Sequence, residues 1–307
     1  MLLVTINFIN YITILKKDQG FGRKNMNKIY KTKAEVLSRA KEAIGLTILE
    51  IDKTGRIATG KGAVENIIEE SWFGLTVNNE SRPDFEEAGV ELKVTPYKKI
   101  RNGEIRAKER LVCNIINYME ENLSDFYNSS FWNKCNTMLL MSYEHINGIN
   151  KGDYTIDNTI LFSFPQEDLA IIQNDWNTIM SKIKAGKAHE ISESDTLYLA
   201  ACTKGATAAT SMRQQPFSSE LAKQRAYSLK QSYMIYILNT FIFGNESNPN
   251  IIKDVSELQN YTFEEYIVSK ITPYIGITQD DLKTEFNIEG NMKNINEVII
   301  ARIFGIN

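Results

Sequence analysis

The chain has 307 residues, of which 43% are hydrophobic and 24% are charged, and its formal net charge is −3 at pH 7. This composition is that of an ordinary globular protein with one large domain or two modest ones, and the net charge excludes a global cationic field. The few cysteines and histidines are widely separated, which disfavours structural zinc, a disulfide framework and histidine-based catalysis: Cys113, Cys135, Cys202, His145 and His189.

The amino-terminal segment is apolar up to Leu15 and then carries Lys16 and Lys17. A signal peptide has its charges before the apolar run, and this run is too short and too polar to cross a bilayer. We therefore expect residues 1–26 to be a disordered or upstream extension and the protein to be cytoplasmic. A polar, turn-rich run at 244–250 predicts a linker between a main domain, residues 27–244, and a helical extension, residues 251–307.

Apolar periodicity predicts helices packed around a mixed sheet, which is an α/β or α+β fold. The first helix has a capping box, since Glu35 follows Thr32 by three residues. The predicted helices are Thr32–Ile44, Gly62–Ser71, Leu169–Gly186, Ala222–Ile242, Thr262–Ile271, Thr278–Phe286 and Asn294–Phe304. The predicted strands are Asp84–Lys93, Arg110–Tyr118, and a pair formed by Met138–Tyr143 and Thr159–Phe164.

The motif with the clearest chemistry lies between Pro83 and Lys93. Asp84 follows Pro83 at a turn, and Glu91 and Lys93 are two residues apart on a strand, so their side chains leave the same face. Two carboxylates suit Mg²⁺, and a nearby ammonium can orient water and offset phosphate charge, as in a phosphodiesterase. The alternative is an amphipathic strand whose charged face is merely solvated.

Other segments would complete such a site. Glu70, near the end of the preceding helix, is a candidate third carboxylate, although a solvated helix end explains it equally well. Residues 93–110 hold seven Lys or Arg against two Glu, and residues 196–233 hold five against one. Two basic patches beside an acidic site suit DNA, although such runs are often only solvated faces. The small, basic segment Cys202–Ala209 could approach a groove, bind a phosphate or form a plain turn.

Several strings occur together in one order and carry a resemblance to the MutH family, most closely to its GATC-specific restriction endonucleases. These strings are Arg39–Gly45, Glu70–Gly74, Pro83–Pro96, Lys108–Val112, Cys202–Ala206 and Lys223–Lys230. The resemblance implies a restriction-endonuclease-like (PD-ExK) fold and Mg²⁺-dependent cutting of double-stranded DNA at GATC. It also implies a cognate DNA methyltransferase as a genetic partner, and it allows a homodimer on DNA.

The resemblance also implies a role for each matching residue. Asp84, Glu91 and Glu70 would hold the metal, Lys93 would orient the water, and Lys134 would be a further active-site lysine. Lys204 would read bases in the major groove, together with its neighbours Thr203 and Gly205. Arg213, Tyr227 and Lys230 are weaker candidates for DNA contact.

Two departures from the family pattern matter. The mismatch-repair branch senses adenine methylation with a tyrosine at the position of Ser228, so we expect cutting here to ignore N6-methyladenine. The restriction relatives carry a further noncatalytic domain, for which 307 residues leave no room. The alternatives are a mismatch-repair nicking endonuclease and a noncatalytic DNA-binding module; the presence of Asp84, Glu91 and Lys93 argues against the latter.

Overall fold

A computed structural model describes residues 29–57, 64–77, 82–100, 103–205, 211–244, 262–288 and 295–304. The predicted extension at 1–26 and most of the predicted linker lie outside these residues, so the division into domains stays a prediction. The strands are β1 (Glu91–Lys99), β2 (Ile105–Ala107), β3 (Leu111–Ile115), β4 (Thr137–Glu144), β5 (Ile156–Ser163), β6 (Leu199–Thr203), β7 (Met212–Gln215), β8 (Ser218–Lys223) and β9 (Arg225–Leu229).

A mixed sheet forms the centre of the fold, with strand order β2-β1-β4-β5. Strands β1 and β4 are parallel, with Lys93 opposite Leu140, whereas β2 and β5 pair antiparallel at the two edges. The predicted pairing of the two apolar strands is therefore confirmed as β4 with β5. A second, antiparallel sheet has the order β3-β9-β6, and β7 and β8 form a hairpin.

Helices flank the central sheet, as predicted, and further helices lie after residue 262. They are α1 (Lys33–Lys41), α2 (Ile48–Ile51), α3 (Val64–Ile67), α4 (Tyr118–Glu121), α5 (Ser130–Cys135), α6 (Gln166–Lys184), α7 (Gln231–Ile237), α8 (Phe263–Ile271), α9 (Gln279–Glu285) and α10 (Ile295–Ile303). The capping box of α1 is present, because the Thr32 hydroxyl accepts from the Glu35 amide and the Glu35 carboxylate accepts from the Thr32 amide. No helix in the described ranges is long and apolar enough to cross a membrane.

Strand β4 separates two hydrophobic cores. Leu139 and Met141 face the core that contains α1, whereas Met138 and Leu140 face the core that contains α6. A strand covered by helices on both faces needs apolar residues at every position, and all four side chains are fully buried. This arrangement fixes β1, the neighbour of β4, in the middle of the molecule.

A buried carboxylate fixes the start of β6. Asp175 on α6 accepts hydrogen bonds from the backbone amides of Leu197, Tyr198 and Leu199, at 2.8, 2.6 and 2.9 Å. Burial raises the pKa of Asp175 to about 7, while the three amides oppose that shift. The long helix thereby sets the position of the strand that ends at Thr203.

The predicted helix over Ala222–Ile242 is wrong in its first half. Strands β8 and β9 occupy Ser218–Lys223 and Arg225–Leu229, and the helix begins only at Gln231. Helix-forming residues such as Ala222, Lys223 and Gln224 favoured a helix locally. Pairing of β8 with β7 and of β9 between β3 and β6 overrides that propensity.

Candidate active site

A short loop brings Asp84 beside the start of β1. Phe85 and Val90 close this loop with two backbone hydrogen bonds, Phe85 N to Val90 O at 2.9 Å and Val90 N to Phe85 O at 3.3 Å. The Asp84 carboxylate accepts from the Leu92 amide at 3.0 Å, and the Asp84 amide donates to Glu91 Oε2 at 3.2 Å. The loop therefore places the Asp84 backbone directly against the Glu91 carboxylate.

Glu91 lies at the centre of a buried charge cluster and is only 1% exposed. Lys93 Nζ is 2.9 Å from Glu91 Oε1, and Lys134 Nζ is 3.3 Å from Glu91 Oε2. Lys134 lies on helix α5, and its ammonium also donates a hydrogen bond to the Arg82 carbonyl at 2.9 Å. Of the residues expected at the catalytic centre, Asp84, Glu91, Lys93 and Lys134 thus lie together.

The buried charges shift one another's protonation. Burial raises the pKa of Glu91 to about 7; Lys93 and Lys134 oppose the shift and Asp84 adds to it. Burial alone would lower the pKa of Lys93, but the carboxylates of Glu65 and Glu91 hold it well above its usual value. Lys93 is therefore an ammonium at neutral pH, which suits orientation of water and offset of phosphate charge better than proton abstraction.

The cluster opens onto a cleft of about 550 Å³ between the central sheet and the β3-β9-β6 sheet. Lys93 lines its floor. The opposite wall carries an ion pair between Arg110, just before β3, and Glu193, together with Thr203 and Lys204 at the end of β6. The cleft thus contains both the candidate catalytic strand and the segment expected to read bases.

Comparison with known proteins assigns this part of the chain. The family model described as "DNA mismatch repair enzyme MutH" matches residues 73–175, which include the Asp84 loop, β1 and α5. Over these residues the chain is similar to the MutH family. Its mixed sheet flanked by helices is the restriction-endonuclease-like architecture of that family.

Individual relatives extend the match beyond the MutH-family segment. The chain is 43% identical over 279 residues to the type II restriction enzyme Sau3AI of Staphylococcus aureus, which covers 90% of this chain and 57% of that enzyme. It is 26% identical over 219 residues to the mismatch repair protein MutH of Shewanella sp. strain MR-7, covering 69% of this chain and 96% of that protein. The chain therefore spans little more than half the length of Sau3AI.

A further carboxylate, Glu69, lies just before the segment that the MutH family model matches and faces the cluster. It lies in a π-helical turn, Ile68–Trp72, that continues α3. Burial, together with the charges of Asp84, Glu65 and Glu91, raises its pKa to about 7. Sequence reasoning missed Glu69, although its four-residue spacing from Glu65 puts both on one helix face, and Glu65 contacts Lys93 at 3.2 Å.

Glu70, by contrast, points toward a different partner. Its Oε1 accepts from Arg56 at 2.8 Å, and its Oε2 is buried without a hydrogen-bond partner among the described residues. The structure does not bring Glu70 to Glu91. Its role as a metal ligand stays a prediction, and Glu69 is the carboxylate whose position suits that role.

The donor chemistry of this site fits a hard divalent cation. Asp84, Glu91 and Glu69 supply carboxylate oxygens, which Mg²⁺ prefers, and their mutual repulsion would be relieved by a cation. Within the described ranges, no three such side chains already form a metal-binding group. Glu91 is instead paired with two lysines and Asp84 with the Leu92 amide, so metal binding requires these contacts to rearrange.

The candidate base-reading segment begins in β6 and leaves it after Thr203. Cys202 and Thr203 are strand residues, so only the part from Lys204 onward is a loop; residues 206–209 lie outside the described ranges. The Lys204 amide donates to the Gln224 carbonyl at 2.8 Å. Gly205 has φ of +107°, and a Cβ there would collide with Ser211, so this position requires glycine.

The remaining residues predicted to contact DNA lie away from the cleft. Arg213 is exposed, but it lines a separate groove beside α4. Tyr227 is fully buried, with its hydroxyl donating to Glu121, and Ser228 is equally buried between β3 and β6. Lys230 is half-buried and its ammonium donates to the Thr196 carbonyl. DNA could contact Tyr227 only if the tyrosine side chain left the core. An adenine methyl group could likewise contact Ser228 only if the serine side chain left the core.

Proposed function

We propose that this chain is a Mg²⁺-dependent type II restriction endonuclease that hydrolyses double-stranded DNA at GATC. The observation that carries the proposal is the buried Asp84–Glu91–Lys93 cluster, whose Lys93 lines the same cleft as Lys204. The similarity of this chain to Sau3AI, which extends over 90% of the chain, supports the restriction activity.

The chain's own residues have separate roles in this reaction. Asp84, Glu91 and Glu69 would hold Mg²⁺, which supplies Lewis acidity and lowers the pKa of water when bound. Lys93 positions the attacking water and offsets charge that develops on the phosphate. Lys134 fixes Glu91 from the opposite side and ties it to the Arg82 carbonyl. In-line attack would leave a 5′-phosphate and a 3′-hydroxyl, and the resemblance implies a cut before the guanine.

A MutH-like nicking endonuclease is the second candidate. The favouring observation is the match of residues 73–175 to the family model described as "DNA mismatch repair enzyme MutH". A supercoiled plasmid with GATC sites separates the possibilities when it is digested with Mg²⁺ or with EDTA. Linear fragments in Mg²⁺ alone support the restriction enzyme, open circles support the nickase, and an uncut plasmid indicates a noncatalytic module. Cutting of a plasmid without GATC sites would contradict the assigned sequence.

The first prediction concerns base reading by Lys204. If its ammonium contacts a guanine edge, Lys204→Ala should cost about 1–3 kcal/mol of discrimination for GATC over scrambled DNA. Binding would be measured in Ca²⁺ on both duplexes. Lys223→Ala is the control, because Lys223 is an exposed lysine on the adjacent hairpin and does not line the cleft. Equal weakening on both duplexes would instead assign Lys204 to a phosphate.

The second prediction concerns the ion pair between Arg110 and Glu193. Both line the cleft and both are partly exposed, so a DNA phosphate can compete with Glu193 for the guanidinium. Glu193→Gln should tighten DNA binding, and Arg110→Gln should weaken it and reduce the salt slope by about one.

Anisotropy titrations of DNA binding at several salt concentrations test whether a phosphate replaces Glu193 as the partner of Arg110. Glu42→Gln is the matched control, because Glu42 forms an exposed pair with Arg39 at the end of α1, outside the cleft. If Glu193→Gln and Glu42→Gln bind DNA equally well, the Arg110–Glu193 pair has only a structural role.

A further inference from the structure

We propose that the cleft continues past the catalytic strand into a phosphate-binding shelf, formed by Lys108, His145 and Lys151, that holds DNA outside the recognition sequence. This inference rests on the proposed function. A second groove of about 280 Å³ contains the three shelf residues. Four residues line both this groove and the main cleft, so the two lie side by side along β1: Glu65, Val94, Pro96 and Glu109.

The lysines of the shelf are available to a ligand. Within the described residues, the ammonium groups of Lys108 and Lys151 form neither a hydrogen bond nor an ion pair, unlike those of Lys93 and Lys134. Glu65 and Glu109 also line this groove, but the Glu65 carboxylate is already 3.2 Å from Lys93 Nζ, so Glu109 is the remaining carboxylate beside the two lysines. Two unpaired ammonium groups in a groove next to the catalytic cleft favour an anion such as a phosphodiester.

The backbone under the shelf is fixed to the central sheet. The Lys108 amide donates to the Pro96 carbonyl at 3.0 Å, and the His145 amide donates to the Tyr97 carbonyl at 2.7 Å. The His145 ring packs against Tyr154, with ring centroids 5.5 Å apart. Lys108 and His145 therefore extend from backbone that is bonded to β1, so little backbone ordering opposes binding at these two residues.

The distance along β1 places the shelf relative to the cut. Pro96 lies three residues beyond Lys93, which is about 10 Å along a strand, or roughly three nucleotide steps of duplex DNA. Lys204 lines the main cleft but not the shelf. If the cut precedes the guanine, one side of the scissile phosphate is GATC and the other is flanking sequence. We assign Lys204 to the first side and the shelf to the second.

Binding to duplexes of two lengths tests this assignment in the full chain. Both duplexes contain one central GATC, with about one flanking base pair on each side in the short one, which is closed by a non-nucleotide linker and ends before the shelf, and about ten in the long one. Without Mg²⁺, wild type should bind the long duplex more tightly and with a steeper salt slope. The double variant Lys108→Gln/Lys151→Gln should lose about tenfold in affinity and about two units of slope on the long duplex only.

The control is Lys41→Gln/Lys184→Gln, which removes two exposed lysines at the ends of α1 and α6 and should bind both duplexes like wild type. A shelf variant that binds the long duplex like this control overturns the inference, as does an equal loss on both lengths. Plasmid cleavage by wild type is scored separately. Failure to cut GATC would refute the proposed function, whereas normal cutting without any length-dependent loss would refute only the shelf.

Discussion

Asp84→Asn is expected to abolish DNA cleavage in Mg²⁺ while binding of a GATC duplex in Ca²⁺ remains close to normal. Asparagine keeps the shape of the side chain but removes the charge that a hard cation requires. The loss of metal-dependent stabilisation amounts to several kcal/mol, so the cleavage rate should fall by roughly 10³-fold or more. Single-turnover cleavage and anisotropy in Ca²⁺ measure the two quantities separately.

Glu86→Gln is the control for this variant. Glu86 lies in the same loop, is exposed and pairs with Arg82 at 2.7 Å, so its charge is removed without touching the cluster. It should cut DNA at nearly the wild-type rate. If Asp84→Asn also cuts normally, Asp84 is not a metal ligand; if both variants lose activity, the loop conformation is responsible.

Glu69→Gln should slow cleavage by about 10²- to 10⁴-fold, whereas Glu70→Gln should change the rate only several-fold. Glu69 shares the electrostatic environment of Asp84 and Glu91, while Glu70 pairs with a partly exposed arginine, Arg56. Loss of that partly exposed pair should cost at most about 1 kcal/mol of folding stability.

The two glutamates control for one another, because they are adjacent and the substitutions are identical. Cleavage rates would be measured under single-turnover conditions, and thermal unfolding would show that both variants are folded. The opposite order, with Glu70→Gln inactive and Glu69→Gln active, would restore the sequence-based assignment of Glu70. It would also show that the π-helical turn rearranges when metal binds.

Much of the catalytic centre follows from the sequence because its residues are close together along the chain. The turn at Pro83–Asp84 and the two-residue spacing of Glu91 and Lys93 define a common face by local geometry alone. Lys134 was expected only from the family resemblance. Tertiary structure brings it to Glu91, because α5 packs beside the central sheet.

The choice between Glu69 and Glu70 depended on tertiary structure. Adjacent residues on a helix point about 100° apart, so the start and form of the helix decide which one faces the cleft. A π-helical turn at Ile68–Trp72 is rarely indicated by local sequence. The burial of Tyr227 likewise could not be predicted from the sequence. The residues of a strand do not by themselves show whether it has a neighbouring strand on each side.

The sequence by itself determined elements whose signals are local: the capping box at Thr32, the apolar runs of β4 and β5, the long helix α6 and the helices after residue 262. Only the tertiary structure decided that residues 218–229 are strands and which surfaces form the cleft. Strand pairing is a contact between distant segments, and its hydrogen bonds outweigh the helical propensity of residues such as Ala222 and Lys223.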